Sequence, residues 1–351
     1  MGARLRAKLL AALFAGRPAP TTARVRTGGH CSHKSWFVEL TSTPCVTILH
    51  GMVTSNTAAA IQAPPQALRI HSADGVVLAA ERWSMRGPEV LLAHGFGQTR
   101  QSWQGTAGSL VASGYSALSF DARGHGESGR NAPMLRYQPE QWVADLRAIA
   151  TQMPAPRLLI GASMGGLTGL MAQAEHALFD AMVLVDITPR WESEGFARIV
   201  AFMSAHPDGF ADTEHAADAI AGYLPPQRVR KRPEQLASLL VKRDDGRLVW
   251  HWDPRMLTDL PAQSEPIQRR VVEAARQINV PLLLISGGQS DLVSEQTVAE
   301  FLQLVPHAQH QRIDKASHMV AGDDNAAFTA AIHAFLASPA ARAALCTGEH
   351  R

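Results

Sequence analysis

The sequence predicts an α/β fold, a mostly parallel eight-stranded sheet with helices on both faces and a helical cap inserted between two strands. Two observations carry this reading. Short apolar runs such as Val90–Ala93 and Arg157–Ile160 alternate with stretches of helical period. That is the pattern of strands buried on both faces and joined by crossover helices. The alternation then stops between Pro189 and Asn279, a stretch too long to be a loop.

The elements follow in order. Ala67–Ile70 and Val76–Trp83 flank Asp74-Gly75, which reads as a hairpin turn at one edge of the sheet. Val90–Ala93 is a buried strand, Trp103–Ala112 an amphipathic helix stopped by Gly114, and Tyr115–Phe120 a further strand. Gln141–Met153 carries Trp142, Leu146 and Ile149 on one face and is expected to be helical. Strands are predicted at Arg157–Ile160, Ala181–Ile187, Val280–Ser286 and Gln309–Ile313, and helices at Met164–His176, Glu295–Leu304 and Ala326–Leu336. Within the cap, helices are expected at Phe196–Ser204, Thr213–Gly222, Pro233–Lys242 and Ile267–Arg276. The domain reading is a basic extension over 1–66, a core over 67–189 and 279–338, a cap over 190–278 and a tail over 339–351.

Charge sharpens the division. The 351 residues sum to +2, yet residues 1–51 hold seven basic residues and one acid, +6, and the remainder carries −4. The first segment lacks a sustained period and reads as a disordered extension or an over-long start, with Met52 as the working start. An Arg-rich, acid-poor segment also fits a signal or organellar presequence. The expected location is cytoplasmic, or organellar or exported if that segment is an address. His30, Cys31 and His33 lack a fourth ligand at zinc-like spacing. All three cysteines, Cys31, Cys45 and Cys346, lie outside 52–345, so no disulfide framework is expected in the body. No run of 18 apolar residues occurs, so no membrane-spanning helix is expected. A body at −4 has no general electrostatic attraction for nucleic acid. The basic run Arg228, Arg230, Lys231, Arg232 reads as a solvated face.

The chemistry begins at Gly161-Ala-Ser163-Met-Gly165. Alone, G-x-S-x-G arises by chance in about one chain in ten of this length. Here it lies between a predicted strand and a predicted helix, where a sharp turn exposes the serine and the helix N-terminus favours developing negative charge. Ser163 is the expected nucleophile. His94-Gly-Phe-Gly97 follows an earlier strand, and the N–H groups of Phe96 and Met164 are expected to form an oxyanion hole. A serine needs a base and the base an orienting acid. His318, after the last strand, is the expected base, with His125 its rival. Asp291, in Gly287-Gly-Gln-Ser-Asp291, is the expected acid, with Asp186 at the end of the preceding strand as runner-up. Asp121, Arg123 and His125 are expected to pack beneath the oxyanion loop, because buried charges must be paired. Most cap aromatics are expected to form the cap's own core, with Trp191, Phe202, Trp250 and Trp252 as candidates to face the substrate.

Taken in order, HGFG, DARGHGES, GASMGG, GGQSD and SHMVAGDDN resemble the α/β-hydrolase fold, over Leu68 to Leu336. The branch resembled most is loosely labelled non-heme chloroperoxidase-like or epoxide-hydrolase-like. Epoxide hydrolases and haloalkane dehalogenases of this fold use an aspartate nucleophile. Ser163 occupies that position here, so neither activity is expected. The resemblance implies a serine hydrolase acting on a small, mostly apolar ester or related acyl substrate, with no cofactor and no metal. Carbon–carbon bond hydrolysis and perhydrolysis would use the same three residues, although HGFGQTRQSW departs from the HG-x-GPGA run of the former. A ligand receptor on the same scaffold is the non-enzymatic alternative.

Overall fold

The computed structural model describes residues 64–223, 230, 232–236, 239–258, 260–320 and 325–346. The expectations for residues 1–63 lie outside these.

Eight strands form one sheet, in the spatial order β1 (Gln66–His71), β2 (Val77–Trp83), β4 (Ser116–Phe120), β3 (Glu89–Ala93), β5 (Arg157–Ala162), β6 (Ala181–Val185), β9 (Leu282–Gly287), β10 (Gln309–Ile313). The first two strands pair antiparallel through the Asp74-Gly75 turn, where Gly75 has φ +85°. That left-handed conformation is one glycine adopts without a Cβ clash. β2 meets β4 antiparallel, and every later neighbour is parallel. β3, β4, β6 and β9 are buried throughout, as their continuous apolar runs require. β10 closes the far edge with the polar run Gln309, His310, Gln311, Arg312 exposed, which blunts edge-to-edge pairing.

Helices cover both faces. One layer holds α2 (Pro139–Ala150), α3 (Met164–His176), α6 (Leu260–Arg276) and α7 (Glu295–Leu304). It buries Leu146, Ile149, Leu170, Val271 and Phe301 against Leu91, Leu118 and Leu284. The other holds α1 (Gln104–Ala112), α8 (Asn325–Ala337) and α9 (Pro339–Cys346), with Leu110, Phe328 and Phe335 on Leu92, Ile160 and Val183. Each such side chain contributes about 1.5–3 kcal/mol by leaving water. α2 starts two residues before the expected Gln141, because Pro139 sits at its first turn and Gln138 makes a capping box with Gln141. α9 replaces the expected tail over its described part. Its Ala341 and Leu345 reach the core, while Cys346 is an exposed free thiol.

Between β6 and β9 lie α4 (Ser193–Met203), α5 (Thr213–Tyr223), the hairpin β7 (Leu240–Lys242) and β8 (Leu248–Trp250), and α6. The helix expected over Pro233–Lys242 is instead a short 3-10 turn at Pro233–Leu236 followed by β7. The reason is the turn Asp244-Asp245-Gly246, with Gly246 at φ +84°, which folds Leu240–Lys242 back onto Leu248–Trp250. α6 begins earlier than the expected Ile267 and runs through Pro266. Its second half, through Val271, Ala274 and Ala275, packs in the core beside α3, so the core reclaims part of the segment expected to be cap. Phe210, Ala216, Ala217, Ile220 and Leu236 form a separate small cap core. Among the described residues, no helix is long and apolar enough to cross a membrane.

Candidate active site

β5 ends at Ala162 and α3 begins at Met164, so Ser163 must turn the chain within one residue. It does so at φ 46°, ψ −115°, a conformation that costs a residue with a Cβ about 1–3 kcal/mol. Two glycines make the turn possible. A Cβ on Gly161 would lie 2.7 Å from the Gly166 nitrogen, and one on Gly165 would lie 2.4 Å from the Ala93 carbonyl oxygen. The Ser163 N–H donates to the Val185 carbonyl at 3.1 Å, and its own carbonyl accepts from Gly166 and Leu167. As the first residue of α3, Met164 has an N–H without an acceptor inside its helix.

His318 follows β10, and its Nδ1 lies 2.7 Å from Asp186 Oδ2. This corrects the expected acid. Asp186 immediately follows β6, is fully buried and has φ +49°. Its Oδ1 accepts from the Gly287 N–H at 2.7 Å and its Oδ2 from Ser290 Oγ at 2.5 Å. Asp291 instead faces the cap, where its Oδ2 pairs with Arg198 Nη2 at 3.3 Å. The direction of the loop after β9 explains the difference. The Glu192 N–H donates to the Leu292 carbonyl, and α4 approaches so closely that a Cβ on Gly195 would strike the Asp291 carbonyl oxygen. The loop therefore aims Ser290 toward His318's partner and Asp291 toward α4.

Three neutral histidines brace the loop that carries Phe96. His94 Nε2 accepts from the Ala122 N–H at 2.9 Å, so its Nδ1 donates to the Gly95 carbonyl at 2.8 Å. His125 Nε2 accepts from the Gly97 N–H at 3.2 Å. His251, just beyond β8, accepts at Nδ1 from the Gly126 N–H at 2.8 Å and donates from Nε2 to the Gly97 carbonyl at 3.2 Å. Each ring must stay neutral, because protonation would turn an acceptor nitrogen into a donor facing an N–H. The electrostatics agree. Burial lowers the His94 pKa, burial and the neighbouring His94 and His251 push His125 well below its usual range, and burial takes His251 down to about 4. His125 is thus a buried brace rather than an alternative base. Beneath it, Asp121 pairs with Arg100 and accepts from its N–H, and Arg123 grips Asp145 through two bonds of 2.9 and 2.7 Å.

A cavity of about 900 Å³ opens over these groups, lined by Ser163, His318, Phe96 and Met164 together with Trp191, Phe202 and Trp250. Trp252 does not line it. That ring is buried behind Phe96, at a centroid distance of 5.1 Å, in a cluster with Tyr137 and Met256. The wall also includes Met203, one of the cap's apolar side chains, and Met319, Arg198 and Tyr223, for which the sequence suggested no part in the wall. Burial and the nearby Asp291 push the Tyr223 pKa up to about 12, so its phenol stays protonated. Methionine is no denser in the cap segment or after His318 than elsewhere in the chain, so composition gave no signal for Met203 or Met319. His251 and Ser290 had none, because their roles exist only in the folded chain.

The family model described as serine aminopeptidase, S33 matches residues 87–325. The chain belongs to the S33 family of α/β hydrolases. This S33 hydrolase is 28% identical over 260 residues to an esterase of Mycobacterium tuberculosis, a match covering 70% of this chain and 82% of that one. It is 27% identical over 268 residues to an sn-1-specific diacylglycerol lipase of Xenopus laevis, covering 73% and 81%. The crystal structure of an E-2-(acetamidomethylene)succinate hydrolase superposes with a TM-score of 0.66 at 23% identity, covering 78% of this chain and 100% of that one. The last likeness is one of fold. Together with the sheet and its helices, the family match makes this chain an α/β-fold hydrolase with esterase and lipase relatives.

Proposed function

We propose that this hydrolase cleaves carboxylic esters of small, largely apolar substrates through an acyl-enzyme on Ser163. The observation that carries the reading is the convergence on one cavity of the strained Ser163 turn and His318, the latter held at Nδ1 by a buried carboxylate. With Nδ1–H given to Asp186, Nε2 is the basic nitrogen. Ser163 Oγ attacks the ester carbonyl carbon and its proton passes to His318 Nε2. The C–O bond to the alcohol then breaks, and the alcohol leaves with that proton. Water attacks the acyl-enzyme, again losing a proton to His318, which returns it to Ser163 Oγ as the acid departs. The N–H groups of Phe96 and Met164 hold the oxyanion, each donor contributing about 3 kcal/mol to lowering the barrier.

The cavity wall favours an ester over a peptide with a free amino terminus. An aminopeptidase needs a carboxylate to hold the substrate ammonium. Among the described lining residues the one carboxylate is Asp291, and Arg198 already pairs with it. The rest of the wall is mostly apolar, which suits an acyl chain or a bulky apolar alcohol. The test is turnover of a p-nitrophenyl ester series beside an aminoacyl p-nitroanilide series, for the native chain and for Ser163→Ala. The expected result is ester turnover with little anilide cleavage, and a loss of about a thousandfold or more in the variant. Retained ester turnover in Ser163→Ala would overturn the proposal.

A further inference from the structure

The motif Gly287-Gly-Gln-Ser-Asp291 does not supply the partner of His318, yet it sits against that partner. We propose that Ser290 is a positioning residue, setting the orientation of the Asp186 carboxylate and sharing the oxygen that faces His318. The inference rests on the Ser163–His318–Asp186 reading above.

The geometry leaves the Ser290 hydroxyl one role as a donor. Its oxygen lies 3.1 Å from the N–H groups of both Leu292 and Val293, which can only donate to it. With its lone pairs engaged, the hydroxyl proton goes to Asp186 Oδ2 at 2.5 Å. That is the same oxygen that receives His318 Nδ1–H at 2.7 Å. The other oxygen, Oδ1, is held by the Gly287 N–H at 2.7 Å. The carboxylate plane is therefore pinned at three points, two of them from the motif. Ser290 thus shares Oδ2 with His318 and takes up part of the negative charge that Nδ1–H would otherwise meet there. Among the described residues, the other charged or titratable groups lining the cavity are Arg198, Asp291 and Tyr223. The first two neutralise each other, and the third stays protonated.

The test uses the full chain with Ser290→Ala, Ser290→Cys and Ser290→Thr, assayed for kcat, KM and the pH dependence of kcat/KM on a p-nitrophenyl ester. Melting temperature and fluorophosphonate labelling of Ser163 serve as controls. Ser290→Ala is expected to lower kcat about tenfold or more, the scale of one hydrogen bond to a charged group, with KM little changed. The acid limb of its pH profile should move to higher pH, because an unshared carboxylate charge stabilises the imidazolium. Ser290→Cys should fall between, and Ser290→Thr should restore both kcat and the limb. A Ser290→Ala variant that labels normally and keeps native kcat and pH profile would overturn the inference. So would equal losses in Ala and Thr with an unmoved limb, which mark a purely structural serine. Failure of the underlying reading is separate, since it would show as no labelling of Ser163 in the native chain.

Discussion

The two walls of the cavity are built on opposite terms. Along the carboxyl edge of the sheet, polar groups are buried and nearly every hydrogen-bonding atom has a partner: Asp186 accepts three bonds, and His94, His125 and His251 each hold a backbone amide. Across from it the cap presents apolar side chains such as Phe202 and Met203, with a single ion pair at Arg198 and Asp291. Directional hydrogen bonds fix the groups at the edge, and the proposed proton transfer and oxyanion stabilisation would need such fixed geometry. Apolar contact is non-directional and tolerates change in shape, so the cap can vary its ligand without disturbing the reaction. Changes at the edge should therefore act on kcat, and changes in the cap on KM.

His251 gives the largest break in that comparison, because it belongs to the cap in sequence but to the edge in function. His251→Ala removes the donor to the Gly97 carbonyl and the acceptor of the Gly126 N–H. The expected outcome is a fall in kcat of about tenfold to a hundredfold, short of the loss of a whole oxyanion donor, with KM changed less. A rise in KM at constant kcat would instead assign His251 to substrate binding.

A smaller effect is expected from Phe202→Ala. The ring stacks on Tyr223 at 4.2 Å and faces the cavity. Its loss should raise KM for apolar esters about tenfold, the scale of partial aromatic burial, and leave kcat within about threefold. Steady-state kinetics over esters of increasing acyl length would show the penalty growing with chain length.

The most graded prediction concerns acid. His251 has a folded pKa of about 4, below the usual value near 6.5 of an unfolded histidine. Between those values the unfolded chain binds a proton that the folded chain refuses, so stability falls as pH falls. The slope from one such group approaches about 1.4 kcal/mol per pH unit. His94 and His125, lowered in the same direction, add to it. Thermal melts from pH 8 to pH 5 should show a steady loss below about 6.5, and His251→Asn should reduce its slope while His94 and His125 keep the remainder.

Much of this arrangement was legible in the sequence. Buried strands announce themselves as apolar runs, and Ser163 is marked by the glycines that the turn demands at positions 161 and 165. The carboxylate partner of His318 was ambiguous for a physical reason. Asp186 and Asp291 follow β6 and β9, which are adjacent strands, so the segments that carry them leave the same edge of the sheet side by side. The choice was made by the backbone at Asp186, at φ +49°, and by the packing of α4 on the loop after β9, neither of which has a local signature. The cap hairpin is a different case. Asp244-Asp245-Gly246 between Leu240–Lys242 and Leu248–Trp250 is a turn signal, and helical spacing of the leucines before it obscured the strand. Trp252 was misplaced because a tryptophan in a cap serves equally well as a wall or as packing behind one.

The choice between the two aspartates tests the account most directly. Asp186→Asn and Asp291→Asn should be assayed side by side for kcat on one p-nitrophenyl ester, with Ser163 labelling and melting temperature to show that both fold. The account predicts a fall on the order of a thousandfold or more for Asp186→Asn, as expected when a carboxylate no longer orients its histidine, and a change within about threefold for Asp291→Asn. Near-native kcat in Asp186→Asn with a collapse in Asp291→Asn would contradict it.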